Sequence, residues 1–166
     1  MRLSFQMILA LACLIPIIAA PASVAAQATT DPGLAPIRAL TAAFNANDDK
    51  AVAQLFTPDA VVVDEVTPYR WTGPNAVRRW LHDDGSVITK NGVKNARITI
   101  GKPLYVHRSA AGIYTASPLV DSYMVGGRPQ RETGLLILVL VKQGSAWKFS
   151  LLAFAKQGDT SDRSWQ

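Results

Sequence analysis

The chain has 166 residues and a mass of 17.9 kDa, which is the size of one ordinary domain. Hydrophobic residues make up 49% and charged residues 17%, a balance that excludes a disordered or low-complexity chain. The single cysteine, Cys13, excludes an internal disulfide framework and any metal site built on several cysteines. The net charge is +5, but the basic residues are scattered, which favours a solvated, mildly basic surface over nucleic-acid binding.

The first residues have the layout of a secretory signal peptide. Arg2 gives a positive start, residues 3–20 are almost entirely apolar, and small residues follow. The apolar run nearly reaches the length of a transmembrane helix, but Pro16 and the small residues around a cleavage site favour removal. We therefore expect residues 1–26 to form a signal peptide and 27–36 a lead-in. The mature protein is then expected to be secreted or periplasmic, without membrane attachment.

Two helices are predicted after the lead-in. Apolar residues from Ile37 to Phe44 recur at helical spacing, and the polar segment Asn45–Asn47 ends the run. Asp48 is a suitable N-cap for a second helix, because its carboxylate accepts hydrogen bonds from the free N–H groups of the first turn. Pro58 is expected to stop that helix, since proline cannot continue one and restricts the residue before it.

A strand, a third helix and four more strands are predicted next. Val61–Val63 is a β-branched strand, and a helix is expected over 76–81, closed by Asp83–Gly85. Further strands are expected over 94–106, with a bend near 101–103, and over 113–125, 130–142 and 147–156. Residues 135–141 are apolar on both faces, which predicts a central strand, and 157–166 are expected to form a polar tail.

The order of elements and four short motifs point to one fold. Helices followed by hairpin strands indicate an α+β domain with helices on one face of a mainly antiparallel sheet. The motifs are Phe44-Asn45-Ala46-Asn47-Asp48, Leu55–Val62, Gly73–Val77 and Trp147–Phe149. In this order, the segment 37–156 resembles the SnoaL-like branch of the nuclear-transport-factor-2-like superfamily. The resemblance implies a cone: a six-stranded curved sheet around about three N-terminal helices, an internal pocket, and homodimers that pack through the sheet.

The superfamily includes ketosteroid isomerase, polyketide cyclases and dehydratases, so the fold alone does not set the function. Asp64 ends the Val61–Val63 strand, where the resemblance to ketosteroid isomerase implies a general base. That resemblance also implies two hydrogen-bond donors, at positions that are Leu40 and Leu138 here, and leucine cannot donate. The structural alternative for Asp64 is a turn cap or an ion pair with Arg70.

Asp121 is the second candidate acid or base. It lies in the middle of a predicted strand, where burial raises the pKa of a carboxyl that has no partner. Cross-strand pairing with Arg97 or Arg131 is the structural alternative.

Aromatic residues supply the candidate ligand contacts, together with one arginine. They are Tyr69, Arg70, Trp71, Trp80 and Tyr123. Such side chains suit a ring-bearing or anionic ligand, although they can equally plug the pocket. The two histidines form no metal-binding pattern, since His82 suits a helix C-terminus, and no metal or other cofactor is expected.

Three functional hypotheses remain, and the sequence favours the first. The first is a secreted or periplasmic domain that holds a small apolar or aromatic ligand in its cone, because Leu40 and Leu138 remove the isomerase type of oxyanion site. The second is an acid/base enzyme of the cyclase, isomerase or dehydratase type that uses Asp64 or Asp121. A dimerisation module with a vestigial pocket is a third.

Overall fold

The computed structural model describes Asp31 and residues 34–159. The expected signal peptide, most of the lead-in and residues 160–166 of the expected tail lie outside the described residues. Three helices are present: α1 (Ala35–Asn45), α2 (Asp49–Gln54) and α3 (Ala76–Lys90). The strands are β1 (Phe56–Val63), β2 (Arg70–Trp71), β3 (Val93–Ile100), β4 (Tyr105–Ser109), β5 (Gly112–Val125), β6 (Arg128–Gln143) and β7 (Ala146–Asp159).

The second helix begins where the sequence predicts it, whereas the first begins at Ala35, two residues before the expected start at Ile37. α1 has Pro36 in its first turn and buries Ile37, Leu40 and Ala43 on one stripe. α2 follows Asp48, whose carboxylate accepts a hydrogen bond of 2.9 Å from the backbone N–H of Ala51.

The prediction that Pro58 stops the second helix is wrong. α2 ends at Gln54, and Phe56 already belongs to β1, where it pairs with Phe149 of β7. The register of this pairing shifts between Phe56 and Val61, so Pro58 sits exposed in an irregular part of the strand. Proline is tolerated there because a bulged segment does not need every ladder hydrogen bond.

The prediction that the third helix closes at Asp83–Gly85 is also wrong. α3 continues for another turn and a half to Lys90, with Ile88 half-buried on its inner side. Gly85 is helical, and the chain leaves the helix only at Gly92, whose φ of +63° suits a glycine that ends a helix. Asp84 therefore lies within a helix and not in a turn.

The sheet has seven strands in the order β2-β1-β7-β6-β5-β3, and β4 also pairs with β5. All neighbours are antiparallel except β1 and β7. The long apolar strand β6 lies between β5 and β7, which confirms the expected interior position. The sequence predicts five strands and the resemblance implies six, whereas the structure has seven. The two strands beyond the predicted five arise because β2 is a separate two-residue strand and the 94–106 segment divides into β3 and β4. β7 extends to Asp159, which pairs with Glu132.

The helices pack on the concave face of the curved sheet. The core between them contains Leu40, Leu138, Leu140 and Phe149, each 0% exposed. This confirms the α+β cone. The core fills one end of the concave face, whereas the inner face near residues 119–136 borders a cavity. None of the helices in the described part of the chain is long and apolar enough to cross a membrane.

Candidate functional site

A cavity of about 660 Å³ lies between the inner face of the sheet, α3 and the end of α1. On α3, Trp80, Asp84 and Ile88 line it, because residues four apart share one face of a helix. On β5, Asp121 and Tyr123 line it, because alternate residues of a strand share one face. Apolar walls come from Phe44, Leu119, Leu136, Leu152 and Phe154.

Asp64 faces this cavity from the end of β1. Its Oδ2 accepts a hydrogen bond of 2.8 Å from the indole Nε1 of Trp80, and its Oδ1 accepts one of 2.7 Å from the backbone N–H of Glu65. Burial raises the pKa of Asp64, and these two hydrogen bonds offset part of the rise. The alternative ion pair with Arg70 is wrong, because Arg70 is an exposed residue of the edge strand β2 and Trp80 is the side-chain partner of Asp64.

Asp121 faces the same cavity from β5. It lies directly opposite Ile98 of β3 and Glu132 of β6, whereas Arg97 and Arg131 lie opposite Ser122. Opposite residues share a face of the sheet, so the two arginines project from the other face and the alternative pairing with Asp121 is wrong. Its Oδ1 is buried without a hydrogen-bond partner among the described residues, and burial raises the pKa of Asp121.

Asp84 is a site residue that the sequence analysis missed. It lines the cavity from α3, and burial followed by repulsion from Asp64 and Asp121 raises its pKa to about 7. The sequence signal for Asp84 is its spacing of four from Trp80, which places both residues on one face of a helix only if that helix continues beyond residues 83–85. We call Asp64, Asp84 and Asp121 the carboxyl trio, since three different elements bring them to one cavity.

Comparison with known proteins agrees with this fold. Residues 37–117 match a family model described as a SnoaL-like domain. Residues 37–117 are SnoaL-like. No curated protein matches the sequence.

Solved structures similar to this SnoaL-like chain have the nuclear-transport-factor-2-like fold. One is a protein of unknown function from Mycobacterium tuberculosis (16% identity, TM-score 0.63, 86% of this chain and 82% of that chain). Another is a ketosteroid isomerase-like protein from Erwinia carotovora (18% identity, TM-score 0.61, 76% and 95%). A third is a hexachlorocyclohexane dehydrochlorinase (13% identity, TM-score 0.64, 82% and 87%). Relatives of this fold include isomerases, dehydratases and cyclases, and identities this low carry over the fold alone.

The lining of the cavity in the SnoaL-like domain is strongly acidic. Seven of the chain's twelve Asp and Glu residues line it: Asp49, Asp64, Glu65, Asp84, Asp121, Glu132 and Asp159. Among the described residues, Lys156 is the basic side chain that lines it. The protein as a whole has a net charge of +5, so the cavity has the opposite sign to the chain.

Lys156 is held by three of these acids. Its Nζ lies 3.0 Å from Asp159, 3.1 Å from Glu132 and 3.5 Å from Glu65. Burial opposes the charge of Lys156, but the hydrogen bonds to Asp159 and Glu132 outweigh it and raise its pKa. Burial raises the pKa of Glu132 to about 7, although the hydrogen bond from Lys156 opposes the rise. Lys156 therefore connects the segment after β1 with β6 and β7, and its charge is already matched.

The predicted ligand contacts divide into two groups. Trp80 and Tyr123 line the cavity, and burial raises the pKa of Tyr123. Tyr69, Arg70 and Trp71 do not line it. Tyr69 is 59% exposed, and Trp71 is buried beside α3, where its Nε1 donates a hydrogen bond of 2.8 Å to Asp83. The hairpin β1–β2 lies at the sheet edge, so the expected contact of Arg70 with an anionic ligand has no basis in this cavity.

The chemistry available here is proton exchange. Within the described part of the chain, no group of His, Cys, Asp or Glu side chains is arranged to hold a metal ion. The trio instead offers three carboxyls whose pKa values are raised by burial and which face one space with several apolar walls. Grouped carboxyls of raised pKa are typical of acid/base sites.

Proposed function

We propose that the cavity binds a small organic molecule and that the carboxyl trio transfers a proton on it. The observation that carries this proposal is the convergence of Asp64, Asp84 and Asp121 on one cavity with aromatic walls. A base must lie within reach of the substrate proton, and an acid of suitable pKa must face the atom that gains charge. Asp84, with a pKa of about 7, carries a proton in part of its population near neutral pH. It can therefore donate the hydrogen bond that Leu40 and Leu138 cannot supply.

The reaction class that suits the trio is proton abstraction next to a carbonyl group, as in an isomerase, a cyclase or a dehydratase. An ionised carboxylate accepts the proton from the carbon, and a protonated carboxyl donates a hydrogen bond to the developing enolate oxygen. In an isomerisation, return of the proton to another carbon of the same molecule completes the reaction, with no net change in charge or oxidation state. In a dehydration, the protonated carboxyl instead gives its proton to the departing hydroxyl group, which leaves as water. In a cyclisation, the enolate carbon forms a bond to a second carbonyl carbon of the same molecule, and the oxygen of that carbonyl takes the proton. This scheme requires only the side chains named above.

The acidic residues that line the cavity restrict the charge that a ligand can carry. Seven acidic side chains line the cavity, and Asp84 and Glu132 are partly protonated near pH 7. The one lining lysine in the described part of the chain is already paired, so a negatively charged ligand meets repulsion from the ionised acids. The aromatic side chains of Phe44, Trp80, Tyr123 and Phe154 suit an apolar or aromatic body. The favoured ligand is therefore a neutral or positively charged ring compound.

Binding without turnover is the second candidate function. Leu40 and Leu138 are both 0% exposed within the core, so neither position offers a hydrogen-bond donor to the cavity. A binding domain needs no such donor, whereas the enzyme depends on Asp84 in its place.

Solvent deuterium exchange separates these two functions. The wild-type chain is incubated in heavy water with a panel of neutral cyclic and aromatic ketones, and deuterium uptake next to the carbonyl is followed by mass spectrometry. The enzyme proposal predicts uptake above the buffer rate for at least one ketone and a loss of roughly 100-fold or more with Asp64→Asn. Asp59→Asn is the matched control, because Asp59 is exposed and does not line the cavity. Ketones that bind without exchanging deuterium favour the binding domain.

We also propose that residues 1–26 direct export and are removed, so that the domain works outside the cytoplasm. The apolar run with its small-residue end supports this. Sequencing the N-terminus of the protein recovered from the periplasm or the medium tests it, and an intact residue 1 contradicts it.

A further inference from the structure

Two Trp–Asp hydrogen bonds connect the β1–β2 hairpin with α3, and they run in opposite directions. Trp80 of α3 donates to Asp64 at the end of β1, at 2.8 Å. Trp71 of β2 donates to Asp83 of α3, also at 2.8 Å. Both residues of the first bond, Trp80 and Asp64, line the cavity, whereas Trp71 and Asp83 of the second bond do not. The second bond is therefore a natural internal control for the first.

Packing against neighbouring rings holds the Trp80 side chain, which is a hydrogen-bond donor, in one position. Its side chain is 4% exposed, and its ring packs edge to face against Phe44, with centroids 5.7 Å apart, and against Phe56, at 6.5 Å. An indole N–H donates and cannot accept, so it stabilises the oxygen of an ionised carboxylate. Because the backbone N–H of Glu65 binds the other oxygen of Asp64, both carboxylate oxygens are matched to donors.

Asp84 has a different environment. Among the described residues, its carboxyl accepts no hydrogen bond, although it lies only one helical turn after Trp80. The charged groups that act on it are all acidic: Asp64 after β1, Asp121 on β5, Asp49 on α2 and Glu65. Every one of these groups favours the protonated form of Asp84 when it is itself ionised.

We propose that Trp80 is a positioning residue that holds Asp64 as the ionised, proton-accepting member of the carboxyl trio and leaves Asp84 as the member that carries the proton. The base of the proposed site is then Asp64, and the acid is Asp84. This assignment rests on the proposed function, since it names the roles of two groups in the proposed proton transfer.

The test is a carbon-detected NMR titration of the Asp side-chain carboxyls in the full chain. In Trp80→Phe a phenyl ring replaces the indole, so an aromatic side chain remains but the N–H donor is lost. The pKa of Asp64 is therefore expected to rise by about one unit. Trp71→Phe, the control, removes the matching bond to Asp83 and is expected to leave the pKa of Asp64 unchanged. An unchanged Asp64 in Trp80→Phe, or an equal shift in Trp71→Phe, overturns the assignment.

A second variant keeps the proposal testable if Trp80→Phe does not fold. Asp64→Asn removes the charge that Trp80 stabilises, so the pKa of Asp84 is expected to fall. An unchanged pKa of Asp84 in that variant overturns the assignment. The titration needs no substrate, and its failure is therefore distinct from that of the proposed function. Shifts as expected without deuterium exchange contradict only the proposed function, whereas exchange with an unresponsive Asp64 contradicts only the assignment.

Discussion

Burial of the Asp84 carboxyl lowers the free energy of unfolding when the pH is above the pKa that this group has in the unfolded chain. In the unfolded chain its pKa is near the ordinary value of 3.8, and in the folded chain it is about 7. The folded state therefore binds the proton more tightly, and the free energy of unfolding falls as the pH rises between these two values. Below the lower value both states are protonated, and above the upper value the loss is complete. Asp64 and Asp121, whose pKa values are also raised, act in the same direction.

The first prediction is that Asp84→Asn stabilises the protein at high pH. The amide has a similar shape and no charge to bury, so we expect a gain of ~1–3 kcal/mol in the free energy of unfolding at about pH 8 and little gain at about pH 4. Urea denaturation at the two pH values measures it. Asp59→Asn, at an exposed site, is the control. An Asp84→Asn protein as sensitive to pH as the wild type contradicts this explanation.

The site residues differ in how far the sequence revealed them. Asp64 and Asp121 were found because an acid at the end or in the middle of an apolar strand is conspicuous. Tyr69 and Trp71 were misplaced because the sequence does not tell which side of a short edge hairpin faces the cavity. Asp84 was missed because Gly85 resembles a helix end, although here the helix packing continues past it.

Among the single elements, α3 contains a glycine in its interior that nothing in the fold requires. A Cβ added at Gly85 meets nothing within 4 Å, and the residue has a helical backbone that alanine adopts easily. Glycine within a helix is less favourable than alanine by roughly 0.5–1 kcal/mol. Gly85 therefore lowers the free energy of unfolding, because glycine makes the unfolded chain more flexible. The fold has room for the methyl group of an alanine at this position.

The second prediction follows from this geometry. Gly85→Ala is expected to raise the free energy of unfolding by about 0.5–1 kcal/mol, measured by thermal or urea denaturation. Gly92→Ala is the control: it also meets no atom within 4 Å, but its φ of +63° is unfavourable for alanine, so that variant is expected to lose stability. If both variants lose stability, α3 does not continue through Gly85.

The start of β1 shows why local rules give incomplete boundaries. Proline has a fixed φ angle and no backbone N–H to donate. Pro58 is therefore equally compatible with a position just after a helix and with an irregular part of a strand. The pairing of Phe56 with Phe149, 93 residues away in the sequence, decides for the strand. No local pattern contains that information. The interior position of β6, in contrast, follows from its own composition, because a strand that is apolar on both faces must be covered on both.

For the molecule as a whole, the convex face of the sheet carries a row of half-buried apolar side chains. Along β6 the half-buried residues Leu135, Ile137, Val139 and Val141 alternate with the buried residues of the core. Ile137 lies between Ala116 of β5 and Ala153 of β7 on this outer face. An apolar sheet face of this kind suits a second copy of the same chain, so we propose a homodimer packed through the sheet.

The third prediction is that Ile137→Lys shifts the protein from dimer to monomer. A lysine at the centre of an apolar interface has to lose water without a partner, whereas at a free surface it stays solvated. Analytical ultracentrifugation of both proteins measures the mass, and circular dichroism checks that the variant is folded. A wild-type protein that is monomeric at every concentration examined contradicts the proposed dimer.

The proposed ligand site is the cavity bounded by α3 and the inner face of the sheet. Trp80 lines it and Trp71 does not, so the indole N–H signals of these two residues report on it directly. In nitrogen–proton correlation spectra recorded during titration with neutral aromatic ketones, we expect a ketone that binds to shift the Trp80 signal and to leave the Trp71 signal in place. A ketone that binds and leaves Trp80 unmoved, while other signals of the domain shift, would contradict it.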